Sequence, residues 1–153
     1  MAKILIVENE FASIKDPIDA LMEMFQGQLR YDLVSVSQDI KWNEEDYKNL
    51  VNKFNLMYDL GVRSFAIFFD DISGEGTNPL KQTELLNRLH KEFVEAKGDV
   101  NPLTVCPTDY TRLWANPSEN GSLVIYGKTL HPSIKVFWTG DAVCSDLTRE
   151  TMN

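Results

Sequence analysis

The 153-residue sequence predicts an α/β fold, an open parallel sheet of about five strands with helices on both faces. Three observations carry this. Short apolar runs alternate with amphipathic stretches about five times along the chain. The runs are apolar at successive positions, the mark of strands covered on both faces. Helix caps and stops fall between them. Alternating strands and helices imply parallel pairing through right-handed crossovers.

Lys3-Ile-Leu-Ile-Val7 is the first strand. Phe11, Ile14, Ile18, Leu21, Met22 and Phe25 follow at helical spacing, with Asp16-Pro17 as a cap and opening. Tyr31 to Val36 is the second strand. Asn43-Glu-Glu-Asp46 is an acidic helix start, and Tyr47, Leu50, Val51, Phe54, Met57 and Tyr58 line one face as far as a stop at Gly61. Ser64 to Phe69 is the third strand, followed by Asp70-Asp71 and a glycine-bearing loop. Asn78-Pro79 opens the next helix, with Leu85, Leu86, Leu89 and Phe93 on its buried side. His90, near Leu86 in phase, is read as a helix-surface residue. Leu103 to Cys106 is strand four, Thr108 to Trp114 one or two helical turns, and Leu123 to Tyr126 either strand or helix. Ile134 to Trp138 is strand five, and a short helix is expected from Ser145 onward. Five βα units suit a flavodoxin-like (βα)5 sheet, with a partial (βα)8 barrel as the alternative.

Composition narrows the function. The length suits a single domain, residues 1–153. Fifteen Lys and Arg against 23 Asp and Glu leave a formal charge of −8, which argues against nucleic-acid or anionic-membrane partners. No apolar run is long enough to span a bilayer and no signal peptide is read after Met1, so a soluble, cytoplasmic chain is expected as it stands. Two cysteines make neither a disulfide framework nor a zinc site. No cofactor is expected. An exposed edge strand or incomplete barrel wall would favour a homodimer.

In parallel α/β folds, ligands bind at the carboxyl ends of the strands. All five predicted ends carry a carboxylate: Glu8 and Glu10, Asp39, Asp70-Asp71, Asp109 beside Tyr110, and Asp141. The Asp70-Asp71 pair is the most informative. Two carboxylates in different surroundings divide labour, one ionised and orienting, the other protonated and donating. An Asp pair also caps loops through backbone N–H groups, and both readings stand on the pattern alone. Tyr110, Trp114 and Trp138 read either as a sugar-stacking wall or as packing, with packing favoured for Trp138. Cys106 reads as a small buried hydrophobe, with neither His90 nor His131 placed beside it.

Gln38-Asp-Ile-Lys-Trp-Asn43, Gly61-Val-Arg-Ser-Phe65, Phe68-Phe-Asp-Asp-Ile-Ser-Gly-Glu-Gly-Thr-Asn78, Cys106-Pro-Thr108 and Trp138-Thr-Gly-Asp141 resemble the catalytic barrel of family 84 glycoside hydrolases. These are the bacterial, Bacteroides-type relatives of O-GlcNAcase, also described as hyaluronidase or hyaluronoglucosaminidase. The resemblance implies retaining, substrate-assisted hydrolysis of β-N-acetylglucosaminides, in which the substrate's acetamido oxygen attacks the anomeric carbon. It stands among the exceptions to the two-carboxylate retaining scheme. It implies that Asp70 orients the acetamido N–H and that Asp71 is the general acid and then base. Cys106, Tyr110 and Thr139 would line the N-acetyl pocket, with Asp141 and Val143 near the sugar and Trp114 at the rim. The partner implied is an N-acetylglucosamine-containing glycan. Residues 1–37, by contrast, resemble the start of a response-regulator receiver domain, so that 38–153 would be a barrel-like segment joined to a receiver-like opening. As a fragment or hybrid of this kind, the chain is expected to hydrolyse little in isolation. Two other readings follow: a receiver-like signalling module binding Mg²⁺ through Glu8, Asp70 and Asp71, and a scaffold with no activity.

Overall fold

Helix boundaries follow local chemistry. Helix α1 (Glu44–Asp59) opens where the Asn43 side chain accepts from the Asp46 backbone N–H, with Glu44, Glu45 and Asp46 in the first turn against the positive end of the helix. It closes in a Schellman motif. Val62 N–H donates to Met57 O and Gly61 N–H to Tyr58 O, and Gly61 takes the φ of 94° that the reversal requires. Helix α2 (Pro79–Leu89) starts on Asn78, whose side chain accepts from the Leu80 and Lys81 N–H groups, with Pro79 in its first turn. It runs on as a π-helical turn, His90–Glu95. Helix α3 spans Ser122–Thr129, so the ambiguous apolar run at Leu123 to Tyr126 is helical.

The computed structural model describes residues 41–116, 118–146 and 148–150, and the backbone of strands β1 (Lys3–Val7) and β2 (Arg30–Val34). The predicted helix over Phe11 to Phe25, together with Glu8 and the Asp39 strand end, lies outside the described residues. Strands β1 and β2 pair in parallel, Lys3 opposite Arg30 and Val7 opposite Val34. Strands β3 (Ala66–Phe68), β4 (Thr104–Cys106) and β5 (Lys135–Val136) form a second parallel sheet in that order, with Ala66 opposite Thr104 and Thr104 opposite Lys135.

The expectation of one five-stranded, flavodoxin-like sheet is therefore met only as a small parallel α/β arrangement. The described strands fall into a pair and a triple, adjacencies shared by the 2-1-3-4-5 order of a flavodoxin-type sheet and the sequential order of a barrel. Counting βα units fixes parallel pairing but not the direction in which successive units are added. A terminal helix is also not found among the described residues after Ser145; Thr148 N–H donates to Asp146 O in a turn.

The core lies on one face of β3–β4–β5. Phe54 from α1, Leu86, Leu89 and Phe93 from α2 and its π turn, and Tyr126 from α3 bury against Phe65, Leu103, Val105 and Ile134. Phe54 stacks on Phe65 at 4.7 Å, and Phe93 meets both edge-on at 5.3 and 5.1 Å, geometries that add to area burial. The bidentate Arg88–Glu44 pair, at 2.6 and 3.0 Å, ties α2 to the start of α1, with the guanidinium over the Tyr47 ring. Side chains alternate along a strand, and the opposite sheet face carries Phe68 and Phe137, 46% and 51% exposed with rings 5.9 Å apart. Helices on both faces are thus not found among the described residues.

His90 corrects the surface assignment made from helical phase: it is 7% exposed. The π turn begins at His90 itself. Its i→i+5 bonding widens the helix and changes which residues face inward, a local change invisible to a 3.6-residue period.

Candidate active site at the carboxyl end of the sheet

Strand β3 ends at Phe68, and Phe69 still donates its N–H to Cys106 O at 2.8 Å. Asp70 and Asp71 follow where the chain leaves the sheet. Asp71 sits at φ 51°, in the left-handed region that costs a non-glycine residue energy and that Asp tolerates better than most. This turn breaks the alternation that would send the two side chains to opposite faces. Asp70 is half-buried and Asp71 exposed.

A buried polar relay holds this corner. The Tyr126 hydroxyl donates to Gln82 Oε1 at 2.6 Å, and Gln82 Nε2 donates to Gly76 O at 2.7 Å and Thr108 Oγ1 at 3.0 Å. Thr108 Oγ1 in turn donates to Phe69 O at 2.7 Å. One side chain from α2 thereby fixes the carbonyl preceding Asp70, the loop after Asp71 and the turn after β4. The sequence reading passed over Gln82. Its signal was a polar residue in the stripe Gln82, Leu86, Leu89 and Phe93. Replacing Gln82 with Leu strands a buried hydroxyl and a carbonyl, each costing about 1–3 kcal/mol. Thermal denaturation of Gln82→Leu should show a midpoint lower by roughly 4–24 °C, at about 2–4 °C per kcal/mol for a chain of this size. An unchanged midpoint would rule out the relay as a structural element.

Two groups from the β4 end feel the charge of the aspartates. Burial first, then the charges of Asp70 and Asp71, push the Cys106 thiol up to about 12. A thiol so protonated is no nucleophile; it offers a small apolar wall. The Tyr110 phenol is likewise held above its ordinary value, by burial and then by Asp71 and Asp70. Trp114 meets Tyr110 edge-on at 5.0 Å and is half exposed.

The β5 loop braces this wall. Thr139 N–H donates to Tyr110 O at 3.0 Å, while Gly140 O accepts from Arg112 N–H at 2.9 Å and the buried Thr111 hydroxyl at 3.2 Å. Gly140 adopts φ 90° in doing so. The Thr139 hydroxyl donates to Ala142 O at 2.8 Å, and Asp141 pairs with Arg112 at 2.9 Å. Val143 is exposed. Of the predicted site residues, Asp70, Asp71, Cys106 and Tyr110 therefore gather, with Trp114 against Tyr110. Thr139 and Asp141 engage the protein's own groups beside them. Glu8, the third member of the Mg²⁺ set, lies outside the described residues.

The chain has relatives among known proteins. The sequence profile of the β-N-acetylglucosaminidase family (NAGidase) matches residues 26–153, most of the chain. The chain belongs to this family. The resemblance to family 84 glycoside hydrolases read from its motifs is thereby borne out. It is 28% identical to the protein O-GlcNAcases of Mus musculus and Rattus norvegicus over 150 aligned residues, covering 90% of this chain and 16% of each relative. The NAGidase-family chain also superposes on the structure of CpGH84B with a TM-score of 0.67 at 31% identity, covering 92% of this chain and 28% of that one. For a mutant O-GlcNAc hydrolase of Thermobaculum terrenum the TM-score is 0.65 at 26% identity, covering 90% of this chain and 32% of that one. The family member described here thus spans less than a third of each of these relatives. Among its described residues no helix is long and apolar enough to cross a membrane.

Proposed function

We propose that the chain carries the acid pair of a retaining, substrate-assisted β-N-acetylglucosaminidase. The observation that carries this is the place of Asp70 and Asp71: they follow β3 where Phe68 lies opposite Cys106 and Phe69 N–H still bonds to Cys106 O, so they leave the sheet beside the end of β4 and the loop that holds Tyr110. An N-acetyl group has an amide N–H, a carbonyl oxygen and a methyl. Half-buried Asp70 accepts from the N–H, which pushes electron density onto the carbonyl oxygen. The methyl lies against the apolar wall of Cys106 and Tyr110, with Trp114 at the rim and the Thr139–Val143 loop closing the sugar side. That oxygen attacks the anomeric carbon, the glycosidic bond breaks, and Asp71 gives its proton to the departing oxygen. Water then opens the oxazoline, with Asp71 taking the proton back. The exposed, turned position of Asp71 suits a group that exchanges a proton with leaving group and water in turn.

The three-stranded sheet is best read as part of a (βα)8 barrel rather than as a flavodoxin-like unit. The exposed, mutually packed Phe68 and Phe137 on the sheet face away from the described core support this, because a barrel buries that face inside. The alignment also supports one continuous segment over a hybrid. Coverage of 92% leaves about 12 of 153 residues unaligned, fewer than the 37 of the receiver-like opening. Assayed as these 153 residues, the site turns over slowly, because catalysis depends on fully positioned groups and this sheet presents a single wall.

The test compares two fluorogenic aryl β-glycosides differing only at C2, an N-acetylglucosaminide and a glucoside. Slow turnover of the first and none of the second is expected. Equal rates, or turnover of the glucoside alone, would refute substrate assistance.

A further inference from the structure

At the other end of the sheet, His90, Glu95 and His131 bring two ring nitrogens and a carboxylate oxygen within 4.8 Å of one another. Their placement has a backbone cause. In an α-helix, at about 100° per residue, positions five apart lie about 140° apart around the axis. The π turn His90–Glu95 overlays them instead, and His90 Nε2 comes 3.4 Å from Glu95 Oε1. π turns inserted in helices recur at functional sites. His131 arrives from the loop between α3 and β5 and stacks on His90, ring centroids 4.0 Å apart. Ser133 Oγ sits between the rings, 2.8 Å from His131 Nδ1 and 3.4 Å from His90 Nε2. His90 Nδ1 is buried without a hydrogen-bond partner, an unusual state for a buried polar atom.

We propose that His90, Glu95 and His131 form a site for a divalent transition-metal ion of the Zn²⁺ class, tying the end of α2 to the loop that enters β5. Zn²⁺ binds nitrogen and carboxylate oxygen at about 2.0–2.2 Å in tetrahedral geometry, so neighbouring ligand atoms stand about 3.4 Å apart. His90 Nε2 and Glu95 Oε1 already have that separation. A ring rotation of His131, which is only partly buried, brings in the third ligand, and water takes the fourth position. Ser133 is placed to orient a ring from outside the coordination shell. Because β3 and β5 are parallel, a site at the entrance to β5 lies opposite the aspartates that follow β3. It acts on stability and stands apart from the hydrolysis.

The test is titration of the metal-free 153-residue chain with Zn²⁺ by calorimetry, and with Co²⁺ by visible absorption. One equivalent of Zn²⁺ should bind and raise the thermal midpoint, and Co²⁺ should give the intense d–d bands of a tetrahedral site. Loss of an outer partner costs about 10–100-fold in affinity, so loss of a ligand in Glu95→Gln or His131→Ala should cost at least about 100-fold. Both changes fall at the partly exposed ligands, which leaves buried His90 to support folding. Asp71→Asn and Cys144→Ser should bind Zn²⁺ as the parent does. Absence of saturable binding overturns the proposal. So does binding unchanged in the two ligand variants, or lost in Asp71→Asn or Cys144→Ser.

Discussion

Asp71→Asn should lower kcat/KM for an aryl N-acetyl-β-glucosaminide by about 100- to 10,000-fold, the usual worth of a positioned general acid. Its dependence on the leaving group is the sharper part. A phenol of low pKa departs without a proton, so the penalty should shrink steadily as the aryl group becomes more acidic. Asp70→Asn should behave differently. Asp70 acts on the acetamido group, whose attack is required whatever departs, so its penalty should be the same across the series. Asparagine keeps the size of each side chain, and far-ultraviolet circular dichroism of both variants should match the parent. Equal leaving-group dependence in the two variants would overturn the assignment of roles. Unchanged rates in both would remove the pair from the chemistry.

Phe93→Ala should be the most destabilising single change among the described core residues. Phe93 is 1% exposed and meets Phe54, Phe65 and Tyr58 edge-on. It comes from the π turn that follows α2, so its ring joins α1 and α2 to the sheet. Truncating a buried Phe to Ala costs about 3–5 kcal/mol, part transfer and part cavity. That corresponds to a thermal midpoint lower by roughly 6–20 °C, or to a chain that no longer folds. Leu56→Ala on exposed α1 surface (61% exposed) is the control and should stay within about 0.5 kcal/mol of the parent. A small effect at Phe93 would mean that the core is organised around another residue.

The legible parts of this molecule were those governed by local chemistry. Asn43, Gly61 and Asn78-Pro79 each place a helix end through hydrogen bonds within a few residues, and each was read correctly. The strands were found but overextended: Ser64 to Phe69 contains the ladder Ala66–Phe68, and Ile134 to Trp138 contains Lys135–Val136. Inter-strand hydrogen bonds at Phe65, Phe69 and Phe137 carry the pairing one residue beyond these ladders, where the apolar runs continue. Which strand of the first pair would adjoin β3 was not legible, since that depends on pairing between distant segments. The buried His90 was missed because a π turn breaks the assumed period. The Asp70-Asp71 pair stood out for its place at a strand end, but its partners Cys106 and Tyr110 were named through family resemblance. Gln82, which holds the corner, escaped because an isolated glutamine carries no motif; only its position in the apolar stripe marked it.

The most direct test of the central claim is a two-dimensional NMR titration of the chain with a thiazoline derived from N-acetylglucosamine, a stable mimic of the oxazoline. The site described here predicts saturable shifts centred on Asp70, Asp71, Cys106 and Tyr110, weakened in Asp70→Asn. No shifts at the ligand's solubility limit, or shifts centred elsewhere, would contradict it.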